Sequence, residues 1–510
     1  MESSPDRAPS AYARLFWIWL VGRTALWFGV AVCTLPNAPL DLLEWLAWGF
    51  QFTWGFPKHP PLPAWVCGAF AWLSPGDVWG VYLCSYLHVA VCLWAAWQLG
   101  REFLSPRCAL LAAICLDGLT YMTGDAAEFS NNVSLNVAWA LTVLFFVRAV
   151  RTEKLRWWLA LGITVGLGLL CKYTLGVLLV AVFSYMIFDR DGRRLWKQPG
   201  PYLAGLLALV IFCPHAIWVA RHDFITFHYA VERSTSDSRW GHVLNPLGFL
   251  AEQLLTLTPV LLVLAPMLIG RGKGERVSPQ LAVLHWAVIG PVGVLLALSM
   301  TSGCQLRGIW GSPLWTFLGV WVLACAGTIA PEGLRWSSRA WAAGAVALLA
   351  FFVIKNNVCP YVLGRPTHES FPGKQLAAEV ARRWHAGCSE PFAIVAGEAW
   401  RADNVCCYSR HRPMIYTSGA MGYFVFEPQH CPWTSDADLA QRGGVLLWDA
   451  RQLGDELPAA ARKRFADAEA QTPIVLPFQS GAAFKSDRTG VAFIWPKNVR
   501  TNVVLRPNRP

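Results

Sequence analysis

The residues best suited to chemistry are concentrated near the N-terminus, in DLLEWLAWGFQFTWGFPKHPPLPAW, residues 41–65. Two carboxylates, Asp41 and Glu44, stand three residues apart, so a helix would present both on one face. Lys58 and His59 follow, just before a double proline. A carboxylate can deprotonate an incoming hydroxyl, and cations can stabilise a departing phosphate. The stretch is therefore a candidate for group transfer, although the same charges could simply face water on an interfacial anchor.

The composition predicts an integral membrane protein. Of the 510 residues, 55% are hydrophobic and 15% are charged, 28 are tryptophan, and the mean hydropathy is +0.37. Soluble domains carry about a quarter charged residues. The net charge of +11 could indicate a nucleic-acid partner, but the basic residues sit in short loops between apolar runs. No RNA- or DNA-binding module occurs, so we expect a membrane topology signal and no nucleic acid.

Apolar segments long enough to cross a bilayer recur through the first part of the chain. They lie at 15–35, 78–99, 108–124, 132–150, 201–219, 245–270, 279–300, 309–328 and 338–355. The stretch 157–188, interrupted by Lys172 and Tyr173, is interpreted as a hairpin, because a hairpin keeps the basic loops on one side. This topology predicts eleven spans, a cytoplasmic N-terminus and a C-terminal part outside.

The short arms of the hairpin have a consequence for Lys172. Arms of about 15 residues reach about 22 Å, less than the ~30 Å hydrocarbon core, so we expect the tip to lie inside a cavity. A lysine there needs an anionic partner. That partner could be a structural carboxylate, Asp125 or Glu128, or the phosphate of a substrate.

The pattern changes from about residue 356. A helical pattern at 373–385 and apolar strands at 392–396, 413–416 and 445–447 predict a small α/β domain. The region has no dinucleotide fingerprint, phosphate-binding loop or nucleophile elbow. The predicted organisation is a helical membrane domain, 1–355, whose first outer loop, 36–77, carries interfacial helices, followed by an α/β domain, 356–510.

With this topology, many ionisable and amide side chains gather at the outer face of the membrane domain. They are Asp41, Glu44, Lys58, His59, Asp125, Glu128, Asn131, Asn132, Lys172, Tyr173, Arg221, His228 and Arg307. A transporter would instead place its polar groups near the midplane. Such a set at a lipid boundary suits sugar transfer from a lipid-linked phosphate, because nucleotide sugars are not supplied outside the cytoplasm.

The chain resembles the bacterial GT-C-fold glycosyltransferases that use polyprenyl-phosphate sugars. This group contains the lipid A aminoarabinose transferases and relatives of the protein O-mannosyltransferases. The resemblance rests on LDLLEWLAWGFQ, KHPPL, EFSNN, LLCKYTLG, FITFHYA, FLAEQLLTLTPVLL, CYSRHRP and CPWTSDADLAQRGGVLLW. It implies a GT-C-like membrane domain, a periplasmic C-terminal domain and a location in the bacterial inner membrane.

The resemblance also implies roles for individual residues. The family's proposed catalytic base, an acid in the first outer loop, falls on Asp41, and a second acid falls on Glu44. Lys58, His59 and Lys172 match positions that are implied to contact the donor phosphate. The aminoarabinose transferases have adjacent acids and a lysine directly before the prolines. This chain has separated acids, and His59 at that position, which favours another sugar or acceptor.

The sequence therefore predicts a membrane glycosyltransferase. It would move a sugar, with inversion, from a polyprenyl-phosphate donor to an envelope lipid, glycan or protein, with Asp41 as base and Arg307 joining the phosphate site. No cofactor is predicted. Asp41 with Glu44 could hold a divalent metal, although the nearby lysines argue against it, and metal dependence stays open. A lipid or polyprenol transporter and a non-catalytic membrane scaffold are the alternative interpretations.

Overall fold

The computed structural model describes residues 9–236, 238–268, 281–326, 331–417, 431–479 and 482–497. The ends of three predicted spans, at 269–270, 279–280 and 327–328, lie outside the described residues. The α-helices are α1 Pro9–Thr34, α2 Leu40–Gly49, α3 Leu62–Ala71, α4 Trp79–Phe103, α5 Pro106–Ile114, α6 Asn131–Thr152, α7 Leu155–Leu169, α8 Leu175–Phe188, α9 Arg190–Arg194, α10 Pro199–Arg221, α11 Ile225–Ser234, α12 Gly241–Leu268, α13 Ala282–Val288, α14 Gly290–Ser302, α15 Leu318–Ala326, α16 Pro331–Asn357, α17 Cys359–Val362, α18 Gly373–Gly387, α19 Ala399–Tyr408, α20 Asp436–Arg442, α21 Ala450–Leu453 and α22 Ala459–Arg464. The strands are β1 Ile394–Gly397, β2 Met414–Thr417, β3 Gly444–Asp449, β4 Glu469–Pro477 and β5 Ser486–Ile494.

Among the described residues, six helices are long and apolar enough to cross a bilayer, namely α1, α4, α6, α10, α12 and α16. The pair α13 and α14, bent by 42°, makes a seventh if it is counted as one span. The chain is therefore a helical membrane protein with several spans, as its composition predicted.

The predicted interruption at Lys172 is confirmed. The stretch 157–188 forms two short helices, α7 and α8, of 15 and 14 residues. The chain turns between them at residues 170–174, where the Lys172 amide donates to the Gly168 carbonyl at 3.0 Å. α7 packs mainly on α6 and α10, and α8 packs on α14. Each arm spans roughly 22 Å at 1.5 Å per residue, as expected.

The prediction of continuous spans is wrong at two positions. Residues 108–124 contain the nine-residue α5 followed by 3₁₀ turns, and residues 309–328 reach regular helix only at α15. Irregular backbone at membrane depth is tolerated where protein rather than lipid surrounds it. Here the apolar residues mark burial in protein. Asp117, for example, is buried in an ion pair with Arg23 at 2.6 Å.

The chain divides into two compact units. The first comprises residues 1–30, 58–63 and 85–352, and the second comprises 31–57, 64–84 and 353–510. Most of the first outer loop, 36–77, thus packs with the residues that follow 353, whereas the short segment 58–63 packs with the helices of the first unit.

The second unit contains a five-stranded sheet in the order β2-β1-β3-β5-β4. β1 runs parallel to β2 and β3, and β5 is antiparallel to both β3 and β4. Alternate strand residues face opposite sides. On one side, Ile394 and Leu446 pack with residues of α20 and α22. On the other, the Phe493 ring lies 5.5 Å from the Trp384 ring of α18, so helices cover both faces.

Helices α2 and α3 meet in the second unit through a pair of glycines. A Cβ built on Gly49 would lie 2.5 Å from the Ala64 carbonyl oxygen and 2.7 Å from the Gly68 nitrogen. Real Cβ atoms do not approach backbone so closely, so any larger side chain at Gly49 must push the two helices apart. The glycine pair therefore sets how closely α2 and α3 pack.

We expect Gly49→Ala to lower the free energy of unfolding of this unit by about 1–3 kcal/mol, because the added methyl overpacks the helix crossing. Thermal unfolding of the purified protein in detergent would show a lower Tm. The matched control is Gly205→Ala in α10, where a Cβ meets nothing within 4 Å. Alanine is the better helix former, so the control should not lose stability. Equal Tm changes for the two variants would contradict the close packing of α2 on α3.

Candidate active site

Asp41 and Glu44 lie on the accessible face of α2, in the second unit. The helix begins at Leu40, after Pro39, so Asp41 stands in its first turn, where the helix dipole stabilises a negative charge. Asp41 is exposed and Glu44 is half-buried. The opposite face of α2 is buried. The prediction that the two carboxylates share one helix face is thus confirmed.

The C-terminal domain holds α2 in position. The backbone amide of Ala38, two residues before the helix, donates to the Tyr408 hydroxyl at 2.9 Å. The Cys407 thiol donates to the Leu43 carbonyl at 3.4 Å. Both partners belong to α19, which packs on α2. Because Tyr408 is buried, it fixes where the helix starts, and therefore where the Asp41 carboxylate stands within this unit.

A basic cluster, Lys58, His59, Lys172 and Arg233, lies in the first unit. Burial lowers the pKa of His59 well below its ordinary value, and the charges of Lys172, Lys58 and Arg233 lower it further. The imidazole is therefore neutral at pH 7, and the cations around it carry the charge. The His59 ring packs edge-on against Tyr229 of α11, with centroids 5.4 Å apart. The cluster thus joins three separate segments of the chain.

Lys172 is tied to the start of α6. Its ammonium donates to the Asn132 side-chain oxygen at 2.6 Å and lies 5.9 Å from the centre of the Trp310 ring. Asn131 and Asn132 are buried in the first turn of α6, which Ser130 caps. An amide oxygen accepts a hydrogen bond without neutralising the lysine charge, so this contact orients the ammonium.

Arg307 stands three residues before Trp310, whose ring lies next to the Lys172 ammonium. Its carbonyl accepts the Trp310 amide at 2.9 Å in a turn at residues 308–311. The Arg307 Nε is buried, and among the described residues it has no hydrogen-bond partner. A buried guanidinium nitrogen in this condition is costly and indicates room for an acceptor. The Lys172–Trp310 contact thus brings the predicted residue Arg307 into the same region.

Tyr173 belongs to a neighbouring polar network. Its hydroxyl lies 2.7 Å from the His215 Nε2 and 2.9 Å from the Thr226 hydroxyl, and its ring stacks on Phe227 at 4.9 Å. His215 and Thr226 are fully buried. Hydrogen bonds from α10 and α11 therefore fix the turn that carries Lys172. This network gives Tyr173 a positioning role next to the basic cluster.

The other predicted site residues are placed more peripherally. Asp125 is exposed on a 3₁₀ turn, and Glu128 is half-buried just before α6. Arg221 and His228 are exposed, at the end of α10 and on α11. Within the described residues, no group of three or more histidine, cysteine or acidic side chains could hold a metal ion. The geometry therefore concentrates anion-binding potential at the basic cluster.

Sequence reasoning missed some residues of this region. Arg233 and Trp310 were not among the predicted site residues. Only the tertiary fold brings α11 close to His59 and the turn before α15 close to Lys172. His215 could have been found, since an imidazole inside the apolar run VIFCPHAIW is a polar group at membrane depth and needs an explanation. Thr226, in FITFHYA, carried no such signal.

If the basic cluster binds the phosphate of a lipid-linked donor, as the sequence predicts, the lowered pKa of His59 makes that binding depend on pH. An anion at the cluster opposes the effect of Lys58, Lys172 and Arg233, so it raises the pKa of His59 and favours uptake of a proton. Affinity for a phosphodiester should therefore increase as the pH falls from about 8 towards about 5.5, by at most about tenfold per unit. Equilibrium binding of a polyprenyl phosphodiester measures this without interference, because only phosphate monoesters titrate near pH 6.

The control for this experiment is His59→Gln, which keeps a hydrogen-bond donor but cannot titrate. Its affinity for the phosphodiester should stay flat over the same pH range. If the affinity of wild type and His59→Gln for the phosphodiester depends on pH to the same extent, His59 is not the group that takes up the proton. The phosphate is then not bound next to His59.

The structure thus shows a multi-span helical membrane protein, with accessible carboxylates on α2 in the second unit and a basic cluster in the first. Residues 58–218 match the family described as dolichyl-phosphate-mannose-protein mannosyltransferase. This segment begins at Lys58 and includes Lys172 and Tyr173. The family match therefore covers Lys58, His59 and Lys172 of the basic cluster, whereas Arg233 lies beyond it.

Curated relatives match over most of the chain. The lipopolysaccharide core galacturonosyltransferase RgtA of Rhizobium johnstonii is 22% identical over 426 residues, covering 78% of this chain and 81% of the relative. The undecaprenyl phosphate-alpha-4-amino-4-deoxy-L-arabinose arabinosyl transferase of Pseudomonas paraeruginosa is 25% identical over 448 residues, covering 74% of this chain and 78% of the relative.

A solved structure shares the fold. The crystal structure of ArnT from Cupriavidus metallidurans bound to undecaprenyl phosphate superposes with a TM-score of 0.60, covering 94% of this chain and 98% of that one at 15% identity. The predicted resemblance to bacterial GT-C-fold polyprenyl-phosphate-sugar glycosyltransferases is confirmed. The predicted enzyme class, glycosyltransferase, is confirmed as well.

Proposed function

We propose that this protein transfers a sugar from a polyprenyl-phosphate donor to an acceptor in the cell envelope. The acceptor is a lipid or glycan on the outer side of the bacterial inner membrane, with protein as the third acceptor class. In this proposal the chain crosses the membrane eleven times, counting short and broken segments, with its N-terminus in the cytoplasm. Residues 356–510 form the periplasmic domain that follows the membrane domain 1–355.

The observation that carries the proposal is the basic cluster. Lys58, Lys172 and Arg233 all act electrostatically on His59, so their positive charges are gathered in a small volume. Several positive charges gathered at one place attract an anion. A phosphate held at the lipid boundary supplies that anion. Arg307, whose buried Nε has no partner among the described residues, adds a further donor for its oxygens.

The proposed chemistry assigns one role to the carboxylates of α2 and another to the basic cluster. Asp41 accepts the proton of the acceptor hydroxyl, whose oxygen attacks the anomeric carbon from the face opposite the phosphate. The bond from that carbon to the phosphate oxygen breaks, and the configuration inverts. Charge then develops on the phosphate, where Lys58, Lys172 and Arg307 stabilise it. A phosphate leaves as a stable anion, so no general acid is required, and Glu44 serves to orient or hold the acceptor.

The relatives support this donor and acceptor chemistry. One relative is named for undecaprenyl phosphate and another for the lipopolysaccharide core. A phosphate bound for sugar transfer accounts for the basic cluster, so neither a transporter nor a scaffold function is needed to explain it. The separated acids Asp41 and Glu44, and His59 before the prolines, favour a sugar other than aminoarabinose, and the labelling experiment below identifies it.

The experiment that tests the proposal follows label from donor to acceptor. Membranes containing the protein are supplied with purified polyprenyl-phosphate sugars, each radiolabelled in the sugar, and the envelope lipid, glycan and protein fractions are counted. We expect label in one of these fractions, dependent on the protein. A parallel series with EDTA and added Mg²⁺ decides whether a divalent metal is needed.

Membranes from cells that lack the protein are the control for background transfer. If no donor pool yields protein-dependent label in any fraction, while a relative expressed in the same way does transfer its sugar, the proposed activity is refuted. Label that appears in the organic phase only as intact donor on the other side of the vesicle would instead indicate transport.

A further inference from the structure

The second unit contains a polar cavity that the proposed transfer reaction does not use. It has a volume of about 540 Å³ and opens beside the ends of β1 and β3. Glu398 and Arg401 line it from the residues that follow β1, and Asp449 and Arg451 line it from the end of β3. Trp400 and Phe371 complete the wall. We call it the switch cavity, because the chain connections that follow β1 and β3 run in opposite directions along the sheet at this point.

The sheet topology explains why a cavity forms there. After β1 the chain passes through α19 to β2, on one side of β1, whereas after β3 it continues to β4 and β5, on the other side. The connections that leave β1 and β3 therefore diverge. In open α/β sheets, ligands bind in the crevice at such a point, outside the carboxyl ends of the strands.

A glycine at the end of β1 sets the path of the backbone that leads to the cavity residue Glu398. Gly397 has a φ of 119°, and a Cβ there would collide with the Leu447 carbonyl. Its backbone turns sharply, and the next amide, of Glu398, donates to the same carbonyl at 2.9 Å. The Glu398 carboxylate then caps α19, accepting from the Trp400 and Arg401 amides. The helix N-terminus is thus already satisfied by a carboxylate, which disfavours an anionic ligand.

One wall of the cavity is an ionic network. Buried Arg401 pairs with Asp487 at 2.6 Å and Glu398 at 3.0 Å, and exposed Arg451 pairs with Asp449 at 2.9 Å. Burial acts to raise the pKa of Asp449, but the hydrogen bond from Arg451 and the charge of Arg401 outweigh it, so the pKa lies below its ordinary value. The wall therefore presents ionised acceptors beside guanidinium donors, with carboxylates in excess.

The other wall is aromatic. The Trp400 ring lies 4.7 Å from the His368 imidazole and 5.3 Å from the Phe371 ring, which in turn lies 6.1 Å from Phe478. A pyranose ring has an apolar C–H face and hydroxyl groups at its edge. The C–H face suits the aromatic wall, and each hydroxyl can donate to a carboxylate while it accepts from Arg451. The excess of carboxylates favours a neutral or amino sugar over a uronic acid.

The cavity also lies near Asp41, because Asn37, four residues before it, contacts two residues of the cavity wall. The Asn37 amide donates to the Glu369 carbonyl at 3.0 Å, and its side chain donates to the His368 carbonyl at 3.1 Å. Asn37 and Asp41 are four residues apart, so their Cα atoms are within about 14 Å of each other. A glycan of a few residues could therefore span from the switch cavity to the proposed base, both of which belong to the second unit.

We propose that the switch cavity binds a neutral or amino sugar of an envelope glycan, and that this sugar belongs to the acceptor. The acceptor role rests on the proposed function, whereas sugar binding itself does not. In this account the C-terminal domain helps to choose the acceptor by holding a sugar near the one that Asp41 deprotonates.

Saturation-transfer NMR on the full chain in nanodiscs tests the binding, with glucosamine, N-acetylglucosamine and galacturonic acid as probes. We expect saturable binding of the two glucosamine probes and weaker binding of galacturonic acid. Arg451→Ala should weaken glucosamine binding roughly tenfold, because a charge-assisted hydrogen bond is lost. Gln452→Trp, which adds bulk at an exposed position in the cavity mouth, should block it. Arg462→Ala, an exposed arginine paired with Glu456 outside the cavity, is the matched control and should bind as wild type does.

The outcomes separate the two proposals. Absence of saturable binding in wild type, or unchanged binding in both Arg451→Ala and Gln452→Trp, overturns the switch cavity as a sugar site. If the wild type binds the sugar and both variants lose that binding, the switch cavity is supported as a sugar site. If the same wild-type protein transfers no label from any donor, the transfer function is refuted. If both activities hold, the two variants should raise the KM for the acceptor and leave the KM for the donor unchanged.

Discussion

Replacing Asp41 with asparagine is expected to lower the rate of sugar transfer by ~10²–10⁴-fold, the range that removal of a general base typically costs. The carboxylate stands in the first turn of α2, accessible to solvent, and the buried face of this helix is held by α19. An amide of the same shape keeps these contacts and cannot accept a proton. Initial rates with labelled donor, at matched protein levels, measure the effect, which should appear in kcat rather than in the donor KM.

Glu44→Gln is the matched control for Asp41→Asn, because both residues lie on the same face of the same helix. We expect Glu44→Gln to lower the rate by no more than about tenfold. The stability cost of Asp41→Asn should stay within about 1 kcal/mol, the usual value of a charge at a helix terminus, so unfolding cannot explain a large loss. Should Asp41→Asn transfer at the wild-type rate, Asp41 is structural, and the base must be sought at Glu44 or Glu128.

Lys172→Met should cost ~10²–10³-fold in kcat/KM for the donor, comparable to the loss of one preorganised donor to a developing anion. Methionine keeps much of the length of the chain but removes the charge that lies 2.6 Å from Asn132 and close to His59. The effect should be divided between a higher donor KM and a lower kcat, because the phosphate is bound throughout and gains charge in the transition state. Steady-state kinetics with a water-soluble short-chain donor measure both constants.

Lys154→Met gives a matched comparison for Lys172→Met. Lys154 is an exposed lysine directly before α7, at the opposite end of the helix that leads to Lys172. Its loss should leave the donor KM unchanged within about twofold. Lys172→Arg keeps the positive charge and should recover part of the activity. Equal losses in Lys154→Met and Lys172→Met would mean that the effect is one of general charge rather than of a specific phosphate contact.

Periodicity and spacing identified the local features that need no tertiary information. The helix that carries Asp41 and Glu44 follows from the buried pattern of Leu42, Leu43, Trp45 and Leu46, and the break between α7 and α8 follows from Lys172 inside an apolar run. The strands near residues 394, 415 and 446 were visible as short apolar runs. In each case the side chains within a few residues determine the local structure.

Other features depend on partners distant in sequence. The segments 108–124 and 309–328 were predicted as spans because their residues are apolar. Most of their described residues are instead buried within the protein, and Asp117 of the first segment forms an ion pair with Arg23. Burial is the main cause of the lowered pKa of His59, and the charges of Lys172 and Arg233, more than a hundred residues away, lower it further. No pattern within one segment reports such contacts. The packing of the first outer loop with the C-terminal domain, through Tyr408 and Cys407, could not be predicted for the same reason.

Sugar transfer from a polyprenyl-phosphate donor can be measured directly in liposomes. The purified protein is reconstituted there with one labelled polyprenyl-phosphate sugar and one acceptor. We expect each sugar transferred to release one polyprenyl phosphate and the new glycosidic bond to have the inverted configuration. Asp41→Asn and Lys172→Met should lower the yield of both products in parallel. Movement of intact donor across the bilayer, without release of polyprenyl phosphate in wild type, would contradict this expectation.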